Sequence, residues 1–446
     1  MTRKSLVIDE VCLSVGWQVY KDDNIAACAK IAVEETGMGV YEHKLKKHKV
    51  KVLGVCRDIL KAKTVGIIER DEATGITKYA KPVGVVGALS PVTNPTATPA
   101  SNTVGILKGR NAVIFAPHPR AKRSCKVVCD FMREGLRIVG APVDLIQHIE
   151  EPSIPRNQEL MRQVDLVLAT GGAVMVNAAY SSGTPSYGVG AGNPVIIVAE
   201  DADVADAAEK ITISKTFDNA TSCSSDTSIV IHESVYDELV EAFKKQGGYL
   251  CNTDEKEKLE KWMWVPTKQS DKLALNLKIV AISAKRIADG AGIDVPDDTS
   301  MLMVEAENAG VDRFSGEKIS PVLALWKYKT FDEAIEKVTK MYEYAGMGHS
   351  CGLYSFNQEY IDKVASSLKV SRVIVRQAHA PSAGGNLWNG MPSTVTLGCG
   401  TWGGNITTEN IHWKHFINVT WLSEPIEPVK VNEEDVFGIV WQKHGQ

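Results

Sequence analysis

A repeated order of apolar strand, short turn and helix restricts the fold of this chain more than any other feature. In the first half of the chain the pattern occurs at residues 107–122, 164–172 and 193–211, and a second series follows residue 223. Alternation of this kind is typical of parallel βαβ units. Because 446 residues are about two to three times the usual length of one domain, we expect two α/β domains, each built on a parallel sheet.

Two segments fall outside this alternation. Residues 67–82 alternate in polarity around Thr74 and Gly75, which predicts a β-hairpin with glycine in the turn. The tail contains further strand-like residues after His415. Unpaired strand edges invite pairing with another chain, so we expect a homodimer or a homotetramer built from dimers. The predicted units are a first α/β domain at 1–66 and 83–190, a second at 191–404, and a small β unit at 67–82 and 405–446.

The first sixty residues are predicted to be helical. Residues 4–36 carry apolar side chains at steps of three and four. The basic run from His43 to Lys51 is predicted to be a solvated helix face, which is the usual place for such a run.

Charge and cysteine usage limit the partners and the compartment. Fifty Lys and Arg side chains against 54 Asp and Glu give a net charge of −4, so no overall field attracts nucleic acid or an anionic membrane. The nine cysteines are unevenly spaced, and the first residues lack the pattern of a signal peptide. No apolar run approaches the ~20 residues that span a bilayer. We therefore expect a soluble cytoplasmic protein that binds small molecules or copies of itself.

Cys223 is the best candidate for a nucleophile. It lies among small polar residues just before a strand at 227–231, whereas Cys28, Cys125 and Cys129 lie on apolar helical faces. A reactive thiolate needs access and a lowered pKa, which a polar loop can supply. A free cysteine is also often a small buried apolar residue, so the sequence alone leaves both interpretations of Cys223 open.

The sequence contains no metal-binding motif and two glycine-containing turns that resemble nucleotide sites. The histidines form no H-E-x-x-H pair, and no companion ligands lie near Cys125 and Cys129 in the sequence, so no metal is predicted. The glycine string 188–192 precedes a strand, whereas a dinucleotide fingerprint follows one. Thr170, Gly171 and Gly172 follow a predicted strand and open a helix, so their amides are either a phosphate site or an ordinary turn.

Nine motifs, in this order, resemble those of the CoA-acylating aldehyde dehydrogenases. They are VEETGMG (33–39), PVTNPTATPASN (91–102), APHPRAK (116–122), ATGG (169–172), GAGNPV (190–195), Cys223, EKISPVLA (317–324), GMGHS (346–350) and LGCGTWGGN (397–405). The resemblance implies an aldehyde dehydrogenase-like fold, in which the first α/β domain binds the nucleotide, the second carries the catalytic cysteine, and the β unit mediates oligomerisation.

The resemblance also implies a mechanism. Cys223 would add to an aldehyde, and its backbone N–H with the Asn94 side chain would stabilise the oxyanion. Hydrolytic relatives place a water-activating glutamate where this chain has Gly188. Without that carboxylate the enzyme thioester should survive until a thiol takes the acyl group, and coenzyme A is the expected acceptor. His349 would serve in acid–base exchange, or else it is a loop histidine that caps a helix.

Further residues match family positions that bind the cofactor, which is either NAD or NADP. Glu317 resembles the glutamate that accepts hydrogen bonds from the nicotinamide ribose, or has only a structural role. The other matched positions are Pro91, Thr170, Gly171, Gly172, His118, Arg120 and Lys122. A catalytically silent member would have lost Cys223 or Glu317, and both are present.

The chain departs from the family pattern at Arg376 and His379, where a neutral amide is usual near the aldehyde tail. An arginine there would suit an anionic tail, unless it faces solvent or another subunit. Residues 373–405 also resemble the family branch that acts on sulfoacetaldehyde, with sulfoacetyl-CoA as product. The alternatives are acetaldehyde, succinate semialdehyde or a hydrolytic reaction with a base from elsewhere. The family helix that precedes residue 10 is expected to be missing, through a clipped or alternative start.

Overall fold

A computed structural model describes residues 3–267 and 270–445; Met1, Thr2 and Gln446, which fall in the predicted units, lie outside the described residues. The helices are α1 Arg3–Tyr20, α2 Asp22–Thr36, α3 Tyr41–Ile59, α4 Ala97–Lys108, α5 Lys122–Ile138, α6 Ile154–Gln163, α7 Ala173–Tyr180, α8 Val204–Thr216, α9 Tyr236–Lys245, α10 Thr253–Met263, α11 Ala284–Ala291, α12 Phe331–Tyr344, α13 Gln358–Ser367, α14 His379–Ala383 and α15 Glu433–His444. The strands are β1 Gly66–Asp71, β2 Ile76–Pro82, β3 Val85–Ser90, β4 Ala112–Pro117, β5 Ile146–His148, β6 Leu166–Thr170, β7 Ser186–Val189, β8 Val195–Val198, β9 Ser228–His232, β10 Gly248–Leu250, β11 Trp264–Thr267, β12 Ser270–Leu275, β13 Met301–Glu305, β14 Val322–Tyr328, β15 Cys351–Tyr354, β16 Val373–Val375 and β17 Ile417–Ser423.

The first parallel sheet has the strand order β5-β4-β3-β6-β7. The chain begins this sheet at β3, adds β4 and β5 on one side, and then adds β6 and β7 on the other. The order therefore reverses between β3 and β6. In open parallel sheets a ligand crevice forms at such a point, beyond the carboxyl ends of the strands.

The second parallel sheet has the order β10-β13-β14-β9-β8-β15-β16. Neighbouring residues on its central strands point to opposite faces, so Ile196 and Ile197 belong to separate apolar clusters, and both are fully buried. Burial on both faces explains why these strands read as continuous apolar runs. The prediction of two parallel α/β domains is confirmed.

A third, antiparallel sheet has the order β1-β2-β17. It confirms the predicted hairpin, whose turn contains Gly75 at φ 64°, and it joins the hairpin to a strand after His415. The apolar face of β17 is largely open, with Trp421 63% exposed. The β11–β12 hairpin and helix α15 were not predicted.

Helix α3 contradicts the prediction of a solvated basic face. Lys44, Lys47, His48 and Lys51 are all buried, because α3 packs against α1, α2 and α4 and against chain segments from the second domain. The prediction for this run was wrong.

Two further expectations concern the start of the chain and the membrane. Helix α1 begins at Arg3 and packs against α5, so residues 3–9 are helical. Within residues 3–267 and 270–445, no helix has the length and apolar content needed to cross a bilayer.

Candidate active site

The loop that carries Cys223 connects α8 to β9 at the amino edge of the second sheet. Before the cysteine, Asp218, Asn219 and Ala220 have φ values of 55°, 51° and 58°. Non-glycine residues rarely adopt this left-handed region, and strain of this kind persists only where the surroundings fix it. The loop must therefore be held by strong contacts on either side.

Asp218 supplies those contacts. Its buried carboxylate accepts hydrogen bonds from the Nζ atoms of Lys44 and Lys47 at 3.2 and 2.5 Å, the backbone N–H of Val40 at 2.8 Å and the hydroxyl of Thr221 at 2.7 Å. Burial opposes ionisation, but the two ammonium groups outweigh it and lower the pKa of Asp218 to about 2. The nucleophile loop is thus anchored to helix α3 of the first domain.

Cys223 faces His349, which follows α12 and precedes β15. The distance from Cys223 Sγ to His349 Nε2 is 3.3 Å, and His349 Nδ1 lies 2.7 Å from Ser350 Oγ. When the proton is on Nδ1, this N–H donates a hydrogen bond to Ser350 Oγ. Nε2 then presents a lone pair to the sulfur of Cys223. Burial keeps the pKa of His349 well below its usual value, so the imidazole is neutral at pH 7.

The thiol of Cys223 is protonated in the resting site. Burial, then the nearby carboxylate of Glu317, raises its pKa to about 12, and the Arg372 guanidinium opposes the rise only in part. A neutral thiol beside a neutral imidazole needs a proton acceptor before it can attack a carbonyl. His349 Nε2 is in position to be that acceptor.

We expect alkylation of Cys223 by iodoacetamide to accelerate about tenfold for each pH unit between 7 and 9, because the thiolate fraction grows in that proportion below a raised pKa. The inactivation rate of the cofactor-free protein measures it, with mass spectrometry confirming the site of modification. A rate that levels off near pH 7 would contradict the protonated thiol.

Asn94 lies between β3 and α4, against the same loop. Its Oδ1 accepts a hydrogen bond from Lys47 Nζ at 2.6 Å, and its Nδ2 lies 3.5 Å from the carbonyl oxygen of Thr221. The amide nitrogen is therefore turned toward the nucleophile loop and makes only a long contact there. It retains the capacity to donate to a ligand oxygen.

Gly188 and Gly192 lie where the surrounding atoms leave no room for a side chain. A Cβ at Gly188 would lie 2.7 Å from Val176 Cγ1 and 2.8 Å from Tyr180 Cε2, and a Cβ at Gly192 would overlap the carbonyl oxygen of Cys223. The Tyr180 ring fills the first of these places, and the N–H of Gly188 donates to the Tyr180 hydroxyl at 3.1 Å. The backbone here has no room for a glutamate side chain.

Glu317 lies on the segment that leads into β14. Its carboxylate accepts a hydrogen bond from the backbone N–H of Gly192, yet burial raises its pKa to about 8. It lies close enough to Cys223 for its charge to raise the pKa of the thiol. Glu317, Gly192, Cys223 and His349 thus meet at one point beside the second sheet.

The sequence comparison decides the family. Residues 20–396 match the model of the aldehyde dehydrogenase family. The chain belongs to the aldehyde dehydrogenase family. This confirms the resemblance carried by the nine motifs.

Three relatives are especially similar to this aldehyde dehydrogenase. A sulfoacetaldehyde dehydrogenase of an Acholeplasma species is 58% identical over 432 residues, which cover 97% of this chain and 89% of the relative. An acylating sulfoacetaldehyde dehydrogenase of Bilophila wadsworthia is 54% identical over 440 residues, or 98% and 95% of the two chains. The solved acetylating aldehyde dehydrogenase of Geobacillus thermoglucosidasius superposes with a TM-score of 0.91 at 36% identity, covering 97% of this chain and 94% of that one.

Several predicted cofactor residues of the dehydrogenase lie at the carboxyl edge of the first sheet. Pro91, His118 and Gly171 directly follow β3, β4 and β6, which are neighbours in the sheet. Thr170 ends β6, with its hydroxyl 3.2 Å from that of Thr396. Gly172 caps the amino end of α7, and a Cβ there would meet nothing within 4 Å. The crevice at the strand-order reversal is therefore open at this helix.

The basic residues after β4 make local contacts. The backbone N–H of Arg120 donates to His118 Nδ1 at 3.1 Å, and the Arg120 guanidinium donates to the carbonyl oxygen of Thr36 at 2.9 Å. Lys122 pairs with Glu151 at 2.8 Å at the surface. These residues lie at the correct edge of the sheet for a nucleotide, but Lys122 already has an anionic partner.

The structure does not bring Arg376 to Cys223. Arg376 follows the carboxyl end of β16, whereas Cys223 lies at the amino edge of the same parallel sheet. The guanidinium donates to the carbonyl oxygen of Ser355 at 2.5 Å and stacks on the exposed ring of Phe356, 4.5 Å from its centroid. The expectation that Arg376 lies beside the aldehyde tail is not supported.

His379 lies behind the nucleophile loop. Its Nδ1 is 2.9 Å from the carbonyl oxygen of Ser224, the residue after the nucleophile, and burial lowers its pKa to about 4. A neutral, buried ring bonded to the loop backbone supports the loop. This position favours a positioning role over the predicted contact with an anionic substrate.

Sequence reasoning missed Arg372. This buried residue precedes β16 at the amino edge, and its guanidinium donates to the carbonyl oxygens of His349 at 2.9 Å and Gly398 at 2.7 Å. It is close enough to lower the pKa of Cys223. The sequence did contain a signal for Arg372: it lies directly before a short apolar strand and four residues before Arg376.

One group of potential metal ligands occurs in the described part of the chain. Ligand atoms of Glu409, His412 and His415 lie within 4.8 Å of one another. Glu409 already pairs with Lys414 at 2.6 Å and with His415 at 3.1 Å. The group lies just before β17, and local ion pairs account for its arrangement.

Proposed function

We propose that this aldehyde dehydrogenase converts an aldehyde, coenzyme A and NAD or NADP into an acyl-CoA and the reduced cofactor. The observation that carries the proposal is the pairing of Cys223 with His349. In addition, position 188, where the hydrolytic relatives have a glutamate, is a glycine without room for a larger side chain. The relatives with acylating and acetylating names support it.

In the first half of the reaction the sulfur of Cys223 adds to the aldehyde carbon. The thiol proton moves to His349 Nε2 as the carbon–sulfur bond forms, and the carbonyl π electrons move to oxygen. The backbone N–H of Cys223 and Asn94 Nδ2 donate to that oxygen, which is the position where charge develops. When bound, a nicotinamide cofactor would supply the oxidation as the acceptor of the hydride from the former aldehyde carbon, and Cys223 would then hold the acyl group as a thioester.

In the second half the acyl group moves to coenzyme A. His349 first releases its proton to solvent and then takes the proton of the incoming thiol. The CoA sulfur adds to the thioester carbonyl, the bond to Cys223 breaks, and the departing sulfur regains its proton from His349. Since no carboxylate stands at position 188 to activate water, the thiol is the faster nucleophile.

The cofactor is proposed to lie in the crevice at the carboxyl edge of the first sheet. Thr170, Gly171 and the open amino end of α7 suit a pyrophosphate there. Pro91, His118, Arg120 and Lys122 border the same edge. Glu317 would accept hydrogen bonds from the nicotinamide ribose. Both NAD and NADP are compatible with a basic border of this kind.

The proposed substrate is sulfoacetaldehyde, with sulfoacetyl-CoA as the product. Two relatives at 58% and 54% identity carry names with this substrate. The buried guanidinium of Arg372 places a positive charge next to Cys223, which favours an aldehyde with an anionic tail.

Assays with sulfoacetaldehyde, acetaldehyde and succinate semialdehyde, each with and without coenzyme A, test this function. We expect steady formation of reduced cofactor only when coenzyme A is present, and a burst of at most one equivalent per active site without it. Sulfoacetaldehyde should give the highest kcat/KM. Steady turnover without coenzyme A would refute acylation, and a higher kcat/KM for acetaldehyde would refute the substrate.

A hydrolytic dehydrogenase is the second candidate, because the carboxylate of Glu317 lies near enough to Cys223 to raise the pKa of its thiol. Glu317 has a pKa raised to about 8 and a charge that reaches Cys223, so it could serve as a base for water. The arm of the assay without coenzyme A separates the two functions. Loss of CoA-independent turnover in Glu317→Gln, with an unchanged KM for the cofactor and an unchanged burst of cofactor reduction, would identify the base.

We further propose assembly through the sheet β1-β2-β17. Trp421, Val419 and Leu422 of its last strand are exposed, and the outer edge of β17 is unpaired within the described residues. Pairing with a second copy would cover both the edge and the apolar face.

A further inference from the structure

Lys47 is a buried lysine that contacts Asn94 and the loop that carries Cys223. Its Nζ donates to Asn94 Oδ1 at 2.6 Å, to Asp218 Oδ2 at 2.5 Å and to Thr221 Oγ1 at 3.0 Å. An ammonium group has three donors and no acceptor. All three donors are therefore used, one on the side-chain amide and two on the nucleophile loop.

The contact with Asn94 fixes the orientation of the amide. A side-chain amide can turn by 180° and exchange its oxygen and nitrogen, but only the oxygen can face an ammonium group. With Oδ1 held by Lys47, Nδ2 must point toward Thr221, two residues before Cys223. In the reversed orientation the oxygen lone pairs would face the developing oxyanion and repel it.

We propose that Lys47 is a positioning residue for the dehydrogenase reaction, which holds the Asn94 amide with its N–H toward the substrate oxygen. The inference rests on the proposed role of Asn94 in oxyanion stabilisation. Lys47 does not touch the substrate; it acts by making one amide orientation the only one available, and preorganised donors of this kind stabilise a transition state without reorganisation.

Lys44 provides a matched control on the same helix. It contacts the same Asp218 oxygen at 3.2 Å, and its other contact is the backbone oxygen of Thr93 at 3.4 Å, not the Asn94 side chain. The cluster of two lysines and one aspartate has an excess of one positive charge. Removal of either lysine therefore leaves a neutral pair, and both variants are expected to fold.

The experiment compares Lys47→Met, Lys44→Met, Asn94→Ala and the double variant Lys47→Met/Asn94→Ala. We expect Lys47→Met to slow the first turnover of cofactor reduction about 10²-fold, which is the usual effect of losing one oxyanion donor. Lys44→Met should slow it less than about threefold. The double variant should be no slower than Asn94→Ala, because Lys47 acts through Asn94. The KM for the cofactor and the rate of Cys223 alkylation should stay within about twofold of wild type.

The outcomes separate the two claims. Equal rates for Lys47→Met and Lys44→Met, or multiplicative effects in the double variant, would overturn the role of Lys47 while Asn94 keeps its own. A wild-type rate for Asn94→Ala would instead overturn the proposed oxyanion site. If Lys47→Met does not fold, Lys47→Ala with added ethylammonium replaces it: restored rate supports the proposal, and unchanged rate in a folded protein contradicts it.

Discussion

Replacing Cys223 with alanine is expected to lower acyl-CoA formation by at least about 10⁴-fold, because the nucleophile that forms the thioester is gone. His349 and Asn94 would remain, but neither can hold the acyl group between the two half-reactions. The measurement is the rate of cofactor reduction with aldehyde and coenzyme A. Cofactor binding, followed by protein fluorescence, should be unchanged.

Cys399 offers the matched control for this variant. It is a second thiol near Cys223, but it is buried and its sulfur points to the carbonyl oxygen of Leu397 at 3.6 Å. Cys399→Ala should retain activity within about tenfold. Retention of more than a hundredth of wild-type activity by Cys223→Ala would remove this residue from the mechanism.

The fold was largely predictable because its determinants are local. A period of two in 67–82 and continuous apolar runs followed by helices identify a hairpin and parallel strands without knowledge of the partners. The sequence also identified Cys223 and His349, which are 126 positions apart and lie 3.3 Å from each other. Their motifs carried that information, since no local pattern relates them.

The buried lysines could not be predicted, because their partner is remote in sequence. A basic run has the same appearance whether it faces water or a carboxylate from another domain. Asp218 is 171 positions from Lys47, and it shows no special pattern in the sequence. The prediction of a solvated face therefore failed for α3.

Arg376 illustrates a different limit. Arg372 and Arg376 flank the same short strand, β16, and a parallel strand carries its two ends to opposite edges of the sheet. The family motif indicated an arginine near the active site. The edge of the sheet at which that arginine lies depends on where β16 begins and ends. Strand boundaries are the least certain part of sequence interpretation, so the sequence alone did not indicate that Arg372, and not Arg376, lies at the edge that carries Cys223.

Asp218→Asn is expected to destabilise the protein by about 3 to 5 kcal/mol, the usual effect of removing one partner from a buried ion pair. The substitution keeps the shape of the side chain but leaves Lys44 and Lys47 as buried ammonium groups without an anion. Thermal unfolding should show a fall in Tm of roughly 3 to 5 °C. Asp130→Asn is the control, because Asp130 pairs with Lys126 at 2.6 Å at the surface, and exposed pairs of this kind contribute roughly 0.5 kcal/mol or less.

The difference in stability between wild type and Asp218→Asn should depend on pH, because the pKa values of Asp218 and Lys44 are both shifted in the folded protein. Asp218 has a pKa lowered to about 2 in the folded protein, so the stability that its charge contributes is present above pH 4 and is lost as the pH falls toward 2. Burial lowers the pKa of Lys44 to about 8 even though Asp218 raises it, so without Asp218 the pKa falls further, and in the variant Lys44 can release its proton below pH 8 and relieve the uncompensated charge. The gap in Tm between wild type and Asp218→Asn should therefore be widest near pH 5 and should narrow as the pH rises to 8. A gap that stays constant from pH 5 to 9 would mean that the carboxylate stabilises the loop through its hydrogen bonds to Val40 and Thr221 and not through its charge.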